Sequence, residues 1–276
     1  MLKVTTWNVN GIRARAREVQ EWIERERPDV LCLQEVKAAR EQVPPELCEL
    51  AGYFCYWHGY KGYSGVALHL SRAAFSRAPE YGHSAFDHES RIVTATFADW
   101  VFASVYVPNG GKDFPAKVRF LDALGEWAGE LERSGLKLVL CGDLNVALEG
   151  RDVHPTLRNV LQIGQTHEEQ AQLDRIIARG LVDLARKFRP DDDRLYTWWA
   201  PWRNMRERNI GWRLDYVLAH QDLAARAVDC CVAREFGTSD HGPVTATFDV
   251  DPPRLPPDPE APATPPPAPK GQLDLF

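Results

Sequence analysis

The run Leu136-Lys137-Leu138-Val139-Leu140-Cys141-Gly142-Asp143-Leu144-Asn145 constrains this chain more tightly than any other stretch. Apolar residues at successive positions need cover on both faces, as in a buried central strand. The run then stops at glycine, aspartate and, two positions on, asparagine. Glycine is expected to turn the backbone out of the sheet and leave Asp143 and Asn145 at the strand end, facing solvent. A carboxylate and a carboxamide on a rigid strand end suit a metal- or phosphate-directed site. Taken alone, an ordinary Asp/Asn turn reads the same way.

Other strands end alike. Leu2 to Val9 reads as a strand that delivers Asn8 and Asn10, followed by an amphipathic helix over Arg13 to Arg27. Val30 to Leu33 delivers Glu35. Pro45 to Ala51 reads as a short helix, and Tyr53 to Trp57 and Val66 to Leu70 as strands around a turn-rich link. Arg91 to Ala98 and Trp100 to Val107, rich in β-branched and aromatic residues, form a hairpin that ends at Tyr106 and Asn109. Helices are expected from Pro115 to Arg133 and from His167 to Arg179. Asp215 begins a strand over Leu214 to His220, and Asp240-His241 separates Val228 to Arg234 from Val244 to Val250. Hairpins mixed with helices exclude an all-parallel sheet. Two mixed β-sheets packed face to face with helices outside, an α/β sandwich, fit best.

Strand ends and strand starts share one rim when the strands run antiparallel. The rim would then gather Glu35, Asp143, Asp215 and Asp240 with Tyr106, His241 and several amides. Four carboxylates so close need a cation or shared protons. Oxygen ligands favour a hard divalent ion, Mg²⁺ or Mn²⁺.

Composition bounds the remaining possibilities. The 276 residues, 44% hydrophobic, suffice for one large core or two modest ones. No apolar run reaches the length of a membrane span and no secretory leader precedes the first strand, so a soluble cytoplasmic monomer is expected. The six cysteines lack paired metal spacing and read as reduced, structural thiols. A net charge of −6 is unusual for a nucleic-acid binder. Half of it, however, lies after residue 248, where five acidic residues face two basic ones. From residue 251 prolines dominate, which predicts an extended spacer over 251–271 after a folded domain over 1–250.

In their order, the motifs Thr6-Trp7-Asn8-Val9-Asn10-Gly11, Leu33-Gln34-Glu35, Gly62-Tyr63-Ser64-Gly65, Tyr106-Val107-Pro108-Asn109, Gly142-Asp143-Leu144-Asn145, Asn209-Ile210-Gly211-Trp212-Arg213-Leu214-Asp215-Tyr216 and Ser239-Asp240-His241 resemble the exonuclease III family of apurinic/apyrimidinic (AP) endonucleases. This family lies within the deoxyribonuclease I-like phosphoesterase superfamily. The resemblance implies a four-layered α/β sandwich and metal-dependent hydrolysis of the phosphodiester 5′ to AP sites in duplex DNA. It also implies 3′→5′ exonuclease activity and trimming of blocked 3′ ends.

By the same resemblance, Glu35 holds the metal with Asn8, Asn10, Asp143, Asn145 and Asp240 nearby. Asp143 positions or deprotonates the attacking water, and Asn145 orients it. Asp215 holds His241 against the scissile phosphate, and Tyr106 and Asn109 bind phosphate or help the leaving oxygen. Lys112 and Arg208 are substrate-binding candidates on basic loops. Trp198, Trp212 and Leu214 would wall a pocket for a flipped, baseless sugar. Trp199 is expected in the core. Trp202 has two readings, a DNA wedge or a stiffener of its loop. Two other classes remain: another phosphoesterase of the superfamily (a nonspecific nuclease or an inositol or lipid phosphatase), and an adaptor with a decayed site.

The last residues, Gln272, Leu273, Leu275 and Phe276 with Asp274 among them, resemble the peptide by which bacterial DNA-processing proteins dock on the replication sliding clamp. A spacer of about twenty residues would reach about 60 Å at ~3 Å per residue. Such a tether would raise the local concentration of the folded domain at the clamp.

Overall fold

The computed structural model describes residues 1–60 and 62–255. Most of the expected spacer and all of the clamp-like peptide lie outside the described residues.

The first half of the chain contributes β1 (Leu2–Asn8), α1 (Ile12–Glu26), β2 (Val30–Gln34), α2 (Pro45–Cys48), β3 (Tyr53–Tyr60) and β4 (Tyr63–Ser71). It continues through β5 (Glu80–Gly82), β6 (Ile92–Phe97), β7 (Trp100–Tyr106) and α3 (Phe114–Arg133). The second half adds β8 (Lys137–Asp143), α4 (His167–Ile177), β9 (Leu181–Asp183), α5 (Leu184–Phe188) and β10 (Asp215–His220). It closes with α6 (Gln221–Ala224), β11 (Ala227–Val232) and β12 (Val244–Phe248). The short elements β5, β9, α5 and α6 have no counterpart in the sequence reading. Segments of three to five residues are too brief to show a period. Outside these elements, isolated bridges join Trp198 to Trp212 and to His241.

The strands form two six-stranded sheets, ordered β11-β12-β1-β2-β4-β3 and β5-β6-β7-β8-β10-β9. Each is mixed, with one parallel pair at its centre (β1 with β2, β7 with β8) and antiparallel neighbours outside. Side-chain alternation sorts the apolar runs into layers. Val139 and Cys141 of β8 face the core between the sheets, and Leu138 and Leu140 face α3 and α4. Likewise Val30 and Cys32 face inward, whereas Leu31 and Leu33 meet Trp22 of α1. Both faces are covered, which gives the helix–sheet–sheet–helix sandwich. Cys32, Cys141 and Cys230 are buried in it as small hydrophobes.

The packed chain reaches Leu255, whose carbonyl accepts from Ser76 Oγ at 3.2 Å. No helix among the described residues is long and apolar enough to cross a membrane.

One expectation fails at the central strand. Gly142 does not turn the chain out of the sheet: it stays in β8, paired with Val105 on one side and Tyr216 on the other. Its role is clearance. A Cβ there would stand 1.9 Å from the Val105 carbonyl oxygen. The turn comes later, where Asn145 adopts φ 51°. Asp143 consequently points into the protein and is 1% exposed, rather than facing solvent. We predict that Gly142→Ala lowers stability by about 3 kcal/mol through overpacking. Gly150→Ala, where nothing lies within 4 Å of the new Cβ, should leave it unchanged. The urea midpoints of the two variants check this.

Candidate active site

Because β1 and β2 are parallel, as are β7 and β8, their C-terminal ends emerge on one rim of the sandwich. β10 runs against β8 and β12 against β1, so the residues that precede them start at the same rim. The register brings Asp143 directly between Tyr106 and Asp215. Asn10, Glu35 and Asn145, just past their strands, are left-handed at φ 46°, 49° and 51°. Asparagine tolerates that region, but glutamate visits it seldom, and such strain gathers at functional sites.

The side chains interlock. Asn8 Nδ2 donates to Glu35 Oε1 at 3.0 Å and to Asp143 Oδ2 at 2.9 Å. Tyr106 Oη donates to Glu35 Oε1 at 2.9 Å. The Asn145 backbone N–H donates to Asp143 Oδ1 at 2.9 Å, and its Nδ2 lies 3.3 Å from Oδ2. His241 Nδ1 is 2.8 Å from Asp215 Oδ2, which leaves Nε2 pointing at Asp143 Oδ2, 3.8 Å away. Asp240 accepts from Asn10 Nδ2 at 2.9 Å and from Trp198 Nε1 at 3.0 Å. Arg213, two residues before Asp215, pairs with Asp152 and Asp183 in a buried network.

Burial and crowding set the proton affinities. Burial pushes Asp143 up to about 7; His241 pulls against this, while Asp215 and Glu35 add to it. Burial alone would lower His241, but Asp215 and Asp143 reverse the effect and raise it to about 10. Burial also works against the charge on Glu35, yet hydrogen bonds from Lys37 and Asn8 hold its carboxyl below the ordinary value. The Tyr106 phenol is pushed up by burial, then by Glu35 and Asp143, and remains protonated.

The donor set fits a hard cation. Carboxylate oxygens of Glu35 and Asp143 lie within 4.8 Å of each other. Asp215 Oδ1 is buried without a hydrogen-bond partner. Lys37 Nζ sits 2.6 Å from both Glu35 Oε2 and Asn10 Oδ1, so a positive charge already bridges these two oxygens. Lys37 is absent from the sequence reading. Its signal was a lysine two positions after Glu35, which strand-end counting overlooks. Asn8 departs from its expected ligand role: it offers Nδ2 to the carboxylates, and its Oδ1 accepts from the Asn10 N–H at 3.0 Å. It bridges the acids as a donor.

A cavity of about 490 Å³ opens beside these groups, lined by Glu35, Tyr106, Asn109, Asp143, Asn145 and His241 on its polar side. Trp198, Trp212 and Leu214 form the apolar side, with the two indoles edge to face at 5.8 Å. Gln162, Ile163 and Gly164, from an irregular stretch with no periodic signal, complete the wall. Lys112 lies elsewhere, in a neighbouring cavity of about 760 Å³ that shares Tyr106 and Asn109. Arg208 is exposed, and its guanidinium reaches the Arg203 carbonyl at 3.5 Å. Trp199 is buried with Nε1 on Asn209, whereas Trp202 is 58% exposed.

Residues 5–241 match the endonuclease/exonuclease/phosphatase family, and the chain belongs to that family. It is 34% identical over 264 residues to recombination repair protein 1 of Drosophila melanogaster, covering 90% of this chain but only 37% of that protein. It is 35% identical over 255 residues to the DNA repair nuclease APEX1 of Danio rerio, covering 88% of this chain and 81% of that one. Among solved structures, an AP endonuclease from Archaeoglobus fulgidus superposes with a TM-score of 0.80 at 32% identity, over 91% of this chain and all of that one. The 3′ phosphatase NExo from Neisseria, bound to a product DNA hairpin, superposes with a TM-score of 0.81 at 31% identity over the same shares.

The proton affinities predict a pH profile. An acid held above its unfolded value binds a proton more tightly when folded, so stability falls as pH rises through that window. For Asp143 the window runs from 3.8 to about 7. For His241 the added stability is full below 6.5 and is lost as pH climbs through about 10. In EDTA, Asp143→Asn should remove the decline between 3.8 and about 7. Urea midpoints of wild type and variant that run parallel across this range would contradict it.

Proposed function

We propose that this protein is a DNA-repair nuclease that uses Mg²⁺, or Mn²⁺ in its place, to hydrolyse the phosphodiester 5′ to abasic sites in duplex DNA. It would also trim 3′ ends. The observation that carries the reading is the Asp143–His241–Asp215 arrangement facing an aromatic cavity.

The chemistry follows from the atoms. In-line hydrolysis needs an activated water, neutralised non-bridging oxygens and help for the departing 3′-oxygen. Glu35 with Asn10, and Asp143 near them, would hold the divalent ion, which when bound supplies neutralising charge. Asp143, with a proton affinity near neutrality, accepts the proton of the attacking water, and Asn145 keeps its carboxylate oriented. His241, cationic and fixed by Asp215, presents an Nε2 proton to a non-bridging oxygen. The Tyr106 phenol, whose proton rests on Glu35, would become a second donor at the rim once Glu35 binds the ion. The P–O3′ bond breaks to leave a 3′-hydroxyl and a 5′-phosphate on the baseless sugar.

Trp198, Trp212 and Leu214 offer the extruded sugar an apolar wall. Arg203, Arg206, Arg208 and Arg213 occur within eleven residues that hold a single acid, Glu207. Of these, Arg203 and Arg208 are exposed and suited to backbone phosphates, while Arg213 is committed to the interior.

A duplex with one tetrahydrofuran abasic analogue tests the reading. We expect a single nick 5′ to the analogue with Mg²⁺ and none in EDTA. Asp143→Asn and His241→Ala should each lower incision at least ~10³-fold with DNA binding retained. Near-wild-type turnover by either variant would reject the assignment. Turnover on inositol phosphates with none on DNA would favour a different phosphoesterase.

For the chain's end, the proposal of docking on a bacterial sliding clamp rests on the sequence of Gln272, Leu273, Leu275 and Phe276. Deletion of 272–276 should abolish binding to the purified clamp and leave incision unchanged. Equal clamp affinity after deletion would overturn it.

A further inference from the structure

Beneath the cavity lies an ion pair that the proposed chemistry does not use. Lys117 of α3 and Glu169 of α4 are both fully buried, with Nζ 2.5 Å from Oε1. The other partners of this ammonium belong to the site. Nζ lies 2.7 Å from the Asn145 carbonyl oxygen and 3.3 Å from that of Asn109. An ammonium has three protons, and here three acceptors take them. One nitrogen therefore ties the segment after β7 to the segment after β8.

The carboxylate does the same for the cavity wall. Glu169 accepts from the Gly164 N–H on both oxygens, at 2.9 and 2.8 Å. It also accepts from the Thr166 N–H at 3.2 Å and from Thr166 Oγ1 at 2.6 Å. Gly164 is left-handed at φ +90° and lies so close to Trp212 that a Cβ there would stand 2.8 Å from Cζ3. Its carbonyl accepts from Ala147 N at 2.7 Å. Gly164, held by Glu169, and the Trp212 ring are thus adjacent parts of one cavity wall.

Stability alone gives little reason for such a pair, because desolvation of two buried charges about cancels their attraction. Its geometry gives another. We infer that the Lys117–Glu169 pair is a positioning device that fixes Asn109, Asn145 and the Gly164–Trp212 wall relative to one another for hydrolysis. The inference rests on the nuclease reading above, in which Asn145 orients the water-activating carboxylate and Asn109 meets phosphate. A displacement of about 1 Å in such a constellation costs ~10²-fold in rate.

The test is Lys117→Met combined with Glu169→Gln, which removes both charges and leaves neither buried alone. Glu169→Gln by itself, which keeps the shape and an acceptor for Lys117, is the second variant. Each is compared with wild type on the abasic duplex and on a recessed 3′ end, with Mg²⁺. We expect kcat to fall ~10²-fold for the double variant and ~10-fold for the single one. KM and DNA affinity should stay within about threefold, with cooperative unfolding retained. Wild-type kcat in either folded variant, or a loss confined to KM, overturns the inference and leaves the nuclease reading intact. Failure of both variants to fold assigns the pair to stability and also overturns it. Absence of wild-type turnover on both DNAs overturns the nuclease reading itself.

Discussion

The site depends on one electrostatic constraint: Glu35, Asp143, Asp215 and Asp240 share a rim that is largely closed to water. Carboxylates in such a place repel one another and lose their hydration, so ionising all four is costly. Three cations answer this locally. His241 lies against Asp215 and faces Asp143, Lys37 bridges Glu35 to Asn10, and Lys117 approaches from below through the Asn145 carbonyl. The remaining strain appears as the raised proton affinity of Asp143. A carboxylate whose proton affinity lies near neutral pH is a direct result of that burial and crowding.

Topology makes the crowding possible. In an all-parallel sheet, residues that start strands and residues that end them lie at opposite edges. Here β10 and β12 run against their neighbours β8 and β1, so Asp215 and His241 enter where Asp143 and Asn8 leave. The two sheets then face each other across an apolar core and bring Glu35 from one sheet to within reach of Tyr106 from the other. The cavity wall is built differently, from irregular segments. Trp198 and Trp212 are pinned by isolated bridges, and the 162–164 wall is pinned through Glu169. A rigid strand rim thus supports the reacting groups while loops shape what can reach them.

Much of this was legible in the chain itself, and the reasons differ by residue. Strands such as Leu138 to Cys141 and Val30 to Leu33 announce themselves through unbroken apolar runs, which only a doubly covered sheet can satisfy. Polar residues at the ends of those runs therefore belong at a rim. Lys37, Lys117 and Glu169 escaped because a lysine or glutamate in a helix or after a strand reads as a solvated surface charge. Nothing local distinguishes α3's Lys117 from its exposed neighbours; only the packing of α4 against α3 buries it. Asn8 was seen as a ligand because its amide has an oxygen, and the surrounding carboxylates turned its nitrogen inward instead.

Gly142-Asp143-Leu144-Asn145 shows where the two kinds of information divide. The sequence by itself determined that a buried strand ends there and that a carboxylate and an amide follow, because hydrophobic pattern and side-chain chemistry are local properties. The tertiary structure decided which way they point. Pairing with Val105 and Tyr216 of the two adjacent strands keeps Gly142 in the sheet, so Asp143 turns inward to meet Asn8, Asn145 and His241. Direction depends on neighbours that are distant in the chain, and so does the proton affinity that burial among them confers.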